Sequence, residues 1–246
     1  MIYKVIDKYF EPLVLEIETF FNKSESRTIF QKRNIIKIIN YKEEDYVVKS
    51  FKIPHILNQV IYRFFRDSKA KRSYVNSVKL KELGINTPQP IGYKEIYKNC
   101  LFKNSYYISE FFDYDYEIRA VLKSKEFANR DEILKEFIKF TYDLHNKGVY
   151  HIDYSPGNIL VKQIDNKYSF FIIDVNRMQF IDFDNQLRMK AISKLTKDEE
   201  DNSLFLHEYA KLSSIDLDIL EKYLKKYLED EKKYLDKKKK LKSLRG

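Results

Sequence analysis

The first pattern along the chain is a pair of β-branched and aromatic runs, "NIIKIIN" (Asn34 to Asn40) and "YVVKSFK" (Tyr46 to Lys52), joined by the charged turn "YKEED". Two such runs around a short polar turn predict a hairpin. Basic, helical-looking sequence follows from about Ile56 to Leu83, and Gly84 supplies its stop. The two prolines of "INTPQPIGY" then require an extended connection. Apolar segments around "IGYKEIY" and "SYYISEFF" (Ser105 to Phe112) complete a five-stranded sheet with one helix against it.

The second half changes period. Ile133, Leu134, Phe137, Ile138, Thr141, Leu144 and His145 recur at helical spacing, with Asn129 and Glu132 placed as a capping box and Gly148 as the stop. Pro156 and Gly157 impose a turn before the short strand "NILV". The apolar run "SFFIID" (Ser169 to Asp174) predicts a buried strand that ends in a carboxylate. From about Ser203 helical spacing returns, with Leu217, Leu220, Leu224 and Tyr227 on one stripe. No internal repeat is visible.

Composition adds that this is a folded chain able to bury a core. Of 246 residues 43% are apolar, and 20 Tyr and 18 Phe with no Trp make ring packing a large part of the interior. The single Cys100 excludes an intramolecular disulfide framework and fits a reducing compartment, with the residue itself a small buried hydrophobe. The N-terminal segment mixes charge into its apolar positions and reads as folded, not secretory. No uncharged apolar run of about 18 residues occurs, so a soluble or membrane-peripheral protein is expected.

A net charge of +9 concentrates in "YRFFRDSKAKR" (Tyr62 to Arg72) and "KKYLDKKKKLKSLR" (Lys232 to Arg245). Each segment alone reads as a solvated basic face, and without a recognised module nucleic acid is an unlikely partner.

The chemistry concentrates in one stretch. "HIDYSPGN" has the form His-x-Asp-x-x-x-x-Asn, and 21 residues after Asp153 comes Asp174 at the end of the apolar run. This pairing resembles the protein-kinase-like catalytic core. The resemblance implies Asp153 as the base that accepts the substrate hydroxyl proton, Asn158 as a metal-binding amide and Asp174 as the principal metal ligand. Magnesium takes hard oxygen donors, few of them from protein, so one carboxylate and one amide suffice. His151 reads as a packing residue that orients the loop. In "YVVK" the resemblance makes Lys49 the contact to the nucleotide phosphates, with Lys52 as runner-up on the opposite strand face. "ISEFF" resembles a hinge, where Glu110 to Phe112 offer backbone groups to adenine.

Several protein-kinase parts are missing. No glycine precedes Gly84, so "NKSES" side chains or "QKRN" amides are left to cover the phosphates. Val75 or Asn76 occupies the place of the helix glutamate, with only Glu82 near the helix end. Asp-Phe-Gly is "DVN" here, Ile152 replaces the Arg of His-Arg-Asp, and no Ala-Pro-Glu follows because the last proline is Pro156.

The compact set "RSY…LGINTPQPIGY", "HIDYSPGNILV" and "IIDVNR" resembles the bacterial lipopolysaccharide core-sugar kinases, the Kdo and heptose kinase family, over about Tyr46 to Arg177. That resemblance implies an α+β, two-lobed protein-kinase-like fold, with an antiparallel-sheet N-lobe over 1–109 and a mainly helical, compact C-lobe over 110–246. It further implies ATP and Mg2+ as cofactors and a sugar or lipid-linked sugar acceptor at the cytoplasmic face of the membrane. Arg63 to Arg72 and the basic tail would then touch anionic lipid, with Phe64 and Phe65 at the interface. Two other readings stand beside it: a small-molecule kinase of aminoglycoside or choline type, and a nucleotide-binding pseudokinase module.

Overall fold

The computed structural model describes residues 1–32, 34–51, 66–99, 101–165 and 167–243. Lys52, Cys100 and the Arg63 to Phe65 part of the basic segment lie outside the described residues. The chain divides into two compact units, Met1–Asp113 with Phe171–Arg177, and Tyr114–Phe170 with Met178–Gly246.

The first unit is built on an antiparallel sheet of six strands: β1 (Ile2–Val5), β2 (Arg27–Gln31), β3 (Asn34–Tyr41), β4 (Glu44–Phe51), β5 (Pro90–Lys98) and β6 (Leu101–Glu110), in the order β1-β5-β6-β4-β3-β2. The β3–β4 hairpin closes with Tyr41 opposite Glu44. Its two turn residues, Lys42 and Glu43, have φ of 52° and 69°, the left-handed pair that matches the twist of the flanking strands. Sequence reasoning expected five strands here and located four, β3 to β6; the structure adds both β1 and β2. β1 pairs with β5 across more than eighty residues, a partnership that no local pattern announces.

Alternation along β4 and β6 separates two cores. Val48, Tyr106 and Ile108 face α1 (Glu11–Leu15) and α2 (Ile17–Asn22), packing against Leu13, Val14, Ile17 and Phe21. Phe51 joins Ala70 and Tyr74 of α3 (Lys69–Glu82), with Tyr93 and Tyr107. Ser68 caps α3 by accepting from the Lys71 amide at 3.0 Å, and Gly84 ends it with φ 66°. Where β5 passes β1 and α1, a Cβ on Gly92 would lie 2.6 Å from the Lys4 carbonyl oxygen, so only glycine permits that approach.

The second unit is mainly helical: α4 (Ile118–Lys123), α5 (Arg130–Asn146), α6 (Asn185–Ile192), α7 (Glu199–Ser213) and α8 (Leu217–Ser243). β7 (Tyr116–Glu117), β9 (Ile159–Ile164) and β10 (Lys167–Ile172) form one small sheet, and β8 (Val149–His151) pairs with β11 (Met178–Phe180). The helical stripe from Ile133 to His145 is buried as its spacing required. The capping box at its start does not form. Asn129 adopts φ 55°, which turns its side chain away from the first-turn amides, and Nδ2 donates to the Tyr168 hydroxyl at 3.3 Å instead. The later helical region also starts earlier than Ser203. Asp198 caps α7 by accepting from the Asp201 amide at 3.0 Å, and Ser214, at φ 55°, separates it from α8.

His145 shows how tightly this core excludes water. Its Nδ1 lies 2.8 Å from the Tyr209 hydroxyl, and its ring stacks on Phe183 at 4.4 Å. Burial, then the Arg188 charge, pushes its pKa down to about 3. The unfolded chain therefore binds a proton between pH 6.5 and 3 that the native state refuses, so stability is full above about pH 6.5 and falls with acid. Between pH 7 and 5 the loss from this residue is about 2 kcal/mol, and urea midpoints of a His145→Gln variant should lack that part of the slope.

Candidate active site

β8 delivers the chain into a loop held by its own backbone. The Ser155 amide donates to the Asp153 carbonyl at 2.8 Å, and the Asn158 amide donates to the Ser155 carbonyl at 2.9 Å. Asn158 Nδ2 also donates to the Asp153 carbonyl at 2.8 Å. These bonds close the turn Pro156–Asn158 and leave the Asp153 carboxylate outside them. His151 is 1% exposed, and its Nδ1 accepts the Asp153 amide at 3.1 Å, so it orients the loop from inside the core. Beneath the loop, the buried Tyr154 shares a 2.9 Å hydrogen bond with Thr141, and burial raises its pKa.

Lys194, two residues beyond α6, was invisible to sequence reasoning. Its Nζ donates to the Ile152 carbonyl at 2.6 Å and to the Tyr150 hydroxyl at 3.3 Å. The residue lies 41 positions after Asp153 in a segment with no motif, so only the fold of α6 reveals it.

In the first unit, Lys49 Nζ lies 2.5 Å from Asp174 Oδ1, and Asn176 Nδ2 donates to the same oxygen at 2.7 Å. Asp174 takes φ 57°, a left-handed conformation that costs a non-glycine residue about 1 kcal/mol. Its flanks are fastened. The Ile172 amide donates to the Asn86 carbonyl at 2.9 Å, and Thr87 Oγ1 donates to the Ile172 carbonyl at 2.8 Å. Asn76 Nδ2 donates to the Val175 carbonyl at 2.7 Å. The place expected of a helix glutamate is thus used to hold the segment that carries Asp174, while Val75 is exposed and Glu82 sits 3.7 Å from Lys79.

Of the hinge candidates, two amides are already engaged: Glu110 donates to the Gln89 carbonyl at 3.0 Å and Phe111 to the Asp45 carbonyl at 3.1 Å. The Phe112 ring packs on Phe171 at 3.9 Å. A cavity of about 310 Å³ borders Glu110, Phe111 and Phe112, but neither Lys49 nor Asp174 lines it. Of "QKRN", Gln31 ends β2, Asn34 begins β3 and Arg33 lies outside the described residues; in "NKSES" the Ser26 hydroxyl is bound to the Lys23 carbonyl and to Lys37.

The sequence model of the lipopolysaccharide kinase (Kdo/WaaP) family matches residues 27–215. The chain belongs to that family. This kinase has the matching fold: a solved structure described as WaaP in complex with acyl carrier protein superposes with a TM-score of 0.65, covering 96% of this chain and 99% of that one. At 15% identity the likeness is one of fold, and it bears out the α+β, kinase-like architecture. No curated protein matches the kinase in sequence. Among its described residues no helix is long and apolar enough to cross a membrane.

In this kinase Lys194 contacts the backbone beside Asp153 and not its carboxylate, so any effect on transfer would be positional. Lys194→Met should lower kcat for phosphate transfer by on the order of tenfold with KM little changed, and Lys194→Arg should restore most of it. Steady-state kinetics on the three proteins makes the comparison; a purely structural role would shift melting and leave the kcat of folded protein intact.

Proposed function

We propose that this kinase transfers the γ-phosphoryl group of ATP to a sugar hydroxyl of lipopolysaccharide core or a related lipid-linked glycan. The observation that carries the reading is the family match, whose span of 27–215 contains Lys49, Asp153, Asn158 and Asp174. Asp153 takes the hydroxyl proton as the acceptor oxygen bonds to phosphorus and the bond to the ADP oxygen breaks. The lobe division at 109/110 belongs to the same reading, with residues 1–109 covering the nucleotide.

The residues fit magnesium. Asn158, with Nδ2 committed to the Asp153 carbonyl, presents Oδ1, and the bonds from Lys49 and Asn176 both fall on Asp174 Oδ1. Among the described residues no group of three or more His, Cys, Asp or Glu forms a soft or multi-carboxylate site. Hard, sparse oxygen donors are what magnesium accepts, and when bound it neutralises phosphate charge. Lys49 serves the α- and β-phosphates. At the hinge, with the Glu110 amide engaged, the Phe112 amide and the Glu110 carbonyl remain as the proposed adenine contacts. Exposed lysines along α8 and the Arg63 to Arg72 segment hold the enzyme at the inner face of the membrane; flotation with anionic vesicles at low salt tests this.

Purified protein with ATP, magnesium and de-acylated core oligosaccharide should yield a product heavier by one phosphate. Transfer to choline or an aminoglycoside, with none to the oligosaccharide, overturns the acceptor assignment.

A further inference from the structure

A second concavity in the helical unit, of about 370 Å³, is lined by Arg119, Lys123, Pro156, Leu195, Thr196 and Lys197. Its lining holds three cations and a hydroxyl but no carboxylate.

Two elements converge to make it. Arg119 and Lys123 are four apart on α4 and share a face. The segment after α6 brings Thr196 and Lys197, the same segment that sends Lys194 to the Ile152 carbonyl. Carboxylates brace the cations from outside the cleft. Glu117 lies 3.7 Å from Arg119 Nε, and Glu231 pairs with Lys197, whose Nζ also donates to the Ser193 carbonyl at 2.5 Å.

The third wall is the loop that carries Asp153. A Cβ on Gly157 would lie 1.6 Å from Arg119 Nη2 and 2.5 Å from Cζ, so the guanidinium rests where a side chain would otherwise be. Gly157 is four residues from Asp153, which by chain reach puts the two within about 14 Å.

From this juxtaposition we infer that the cleft is an acceptor subsite for an anionic group, a carboxylate or a phosphate, with Arg119 as its principal contact and Lys123 and Lys197 in support. The inference rests on the reading of Asp153 as the base and deepens it by assigning the acceptor's charge. A guanidinium is a planar fork matched to both anions, and ammonium groups beside it add attraction without directional demand. The same charges oppose acceptors that carry ammonium groups, as choline and aminoglycosides do.

The test reads binding and turnover separately. De-acylated core oligosaccharide is titrated calorimetrically into the wild type, Arg119→Gln, Gly157→Ala and the double variant, and KM for phosphate transfer is measured on the same proteins. Two edited probes, one phosphatase-treated and one with carboxylates reduced to alcohols, distinguish the anion. Either single substitution should weaken binding about tenfold, as loss of one charged hydrogen bond does, and the double should be no weaker than the singles. One edited probe should lose the same factor with the wild type and nothing further with Arg119→Gln. Equal affinity of wild type and Arg119→Gln, with melting unchanged, overturns the subsite while leaving the kinase reading intact. Arg119-dependent binding without any phosphate transfer does the reverse.

Discussion

Asp174→Asn should reduce phosphate transfer by on the order of 10³-fold while the protein stays folded. The substitution is nearly isosteric and keeps Oδ1 as an acceptor for Lys49 and Asn176, so the left-handed segment retains its ties to Asn76, Asn86 and Thr87. What disappears is the negative charge, which an amide does not replace if Asp174 holds magnesium beside the ATP polyphosphate as proposed. Asp174→Ala should lose as much activity and also stability. The Lys49 side chain is 13% exposed and would be left beside an emptied position, whereas the 37% exposure of Asp174 admits water that softens the loss to about 1–2 kcal/mol. Comparing the two variants by single-turnover kinetics and urea denaturation separates charge from scaffold. An Asp174→Asn enzyme with wild-type turnover would remove this carboxylate from the mechanism.

Asp153→Asn should lower kcat by about 10² to 10⁴, the range for losing a positioned general base, with little change in KM for ATP. Ser155 and Asn158 bond to the backbone carbonyl of Asp153, His151 to its amide and Lys194 to the carbonyl before it, so none of these contacts needs the carboxylate. The variant should therefore keep these backbone ties, and its melting temperature checks that the protein measured is folded. A larger effect on KM than on kcat would instead mark Asp153 as an acceptor-binding group.

Much of the catalytic stretch was legible because its information is local. The Pro-Gly turn and the helix before Val149 are each written in a few neighbouring residues and form as the pattern required; the apolar run forms its strand too, but it is only half buried and stops at Ile172, two residues short of Asp174. The β3–β4 hairpin was legible for the same reason, although its turn uses Lys42 and Glu43 in place of glycine or asparagine. Asn129 was misread because a capping motif specifies side-chain chemistry and leaves the backbone dihedral to tertiary contacts, here the Tyr168 hydroxyl. The role of Asn76 was also hidden, since the expected glutamate partner was sought for Lys49 and the residue serves the Val175 carbonyl instead.

By itself, then, the sequence determined an aspartate-asparagine loop and a carboxylate just past a strand, because spacing within about 25 residues constrains turns, strands and helices directly, and its kinase-like character came as a resemblance of those motifs. Only the tertiary structure decided that Lys49 meets Asp174 across 125 positions, that Lys194 braces the loop, and that Arg119 lies over Gly157. Such pairings depend on which faces the sheet and the helices bury, a property of the whole packed chain that no local pattern encodes.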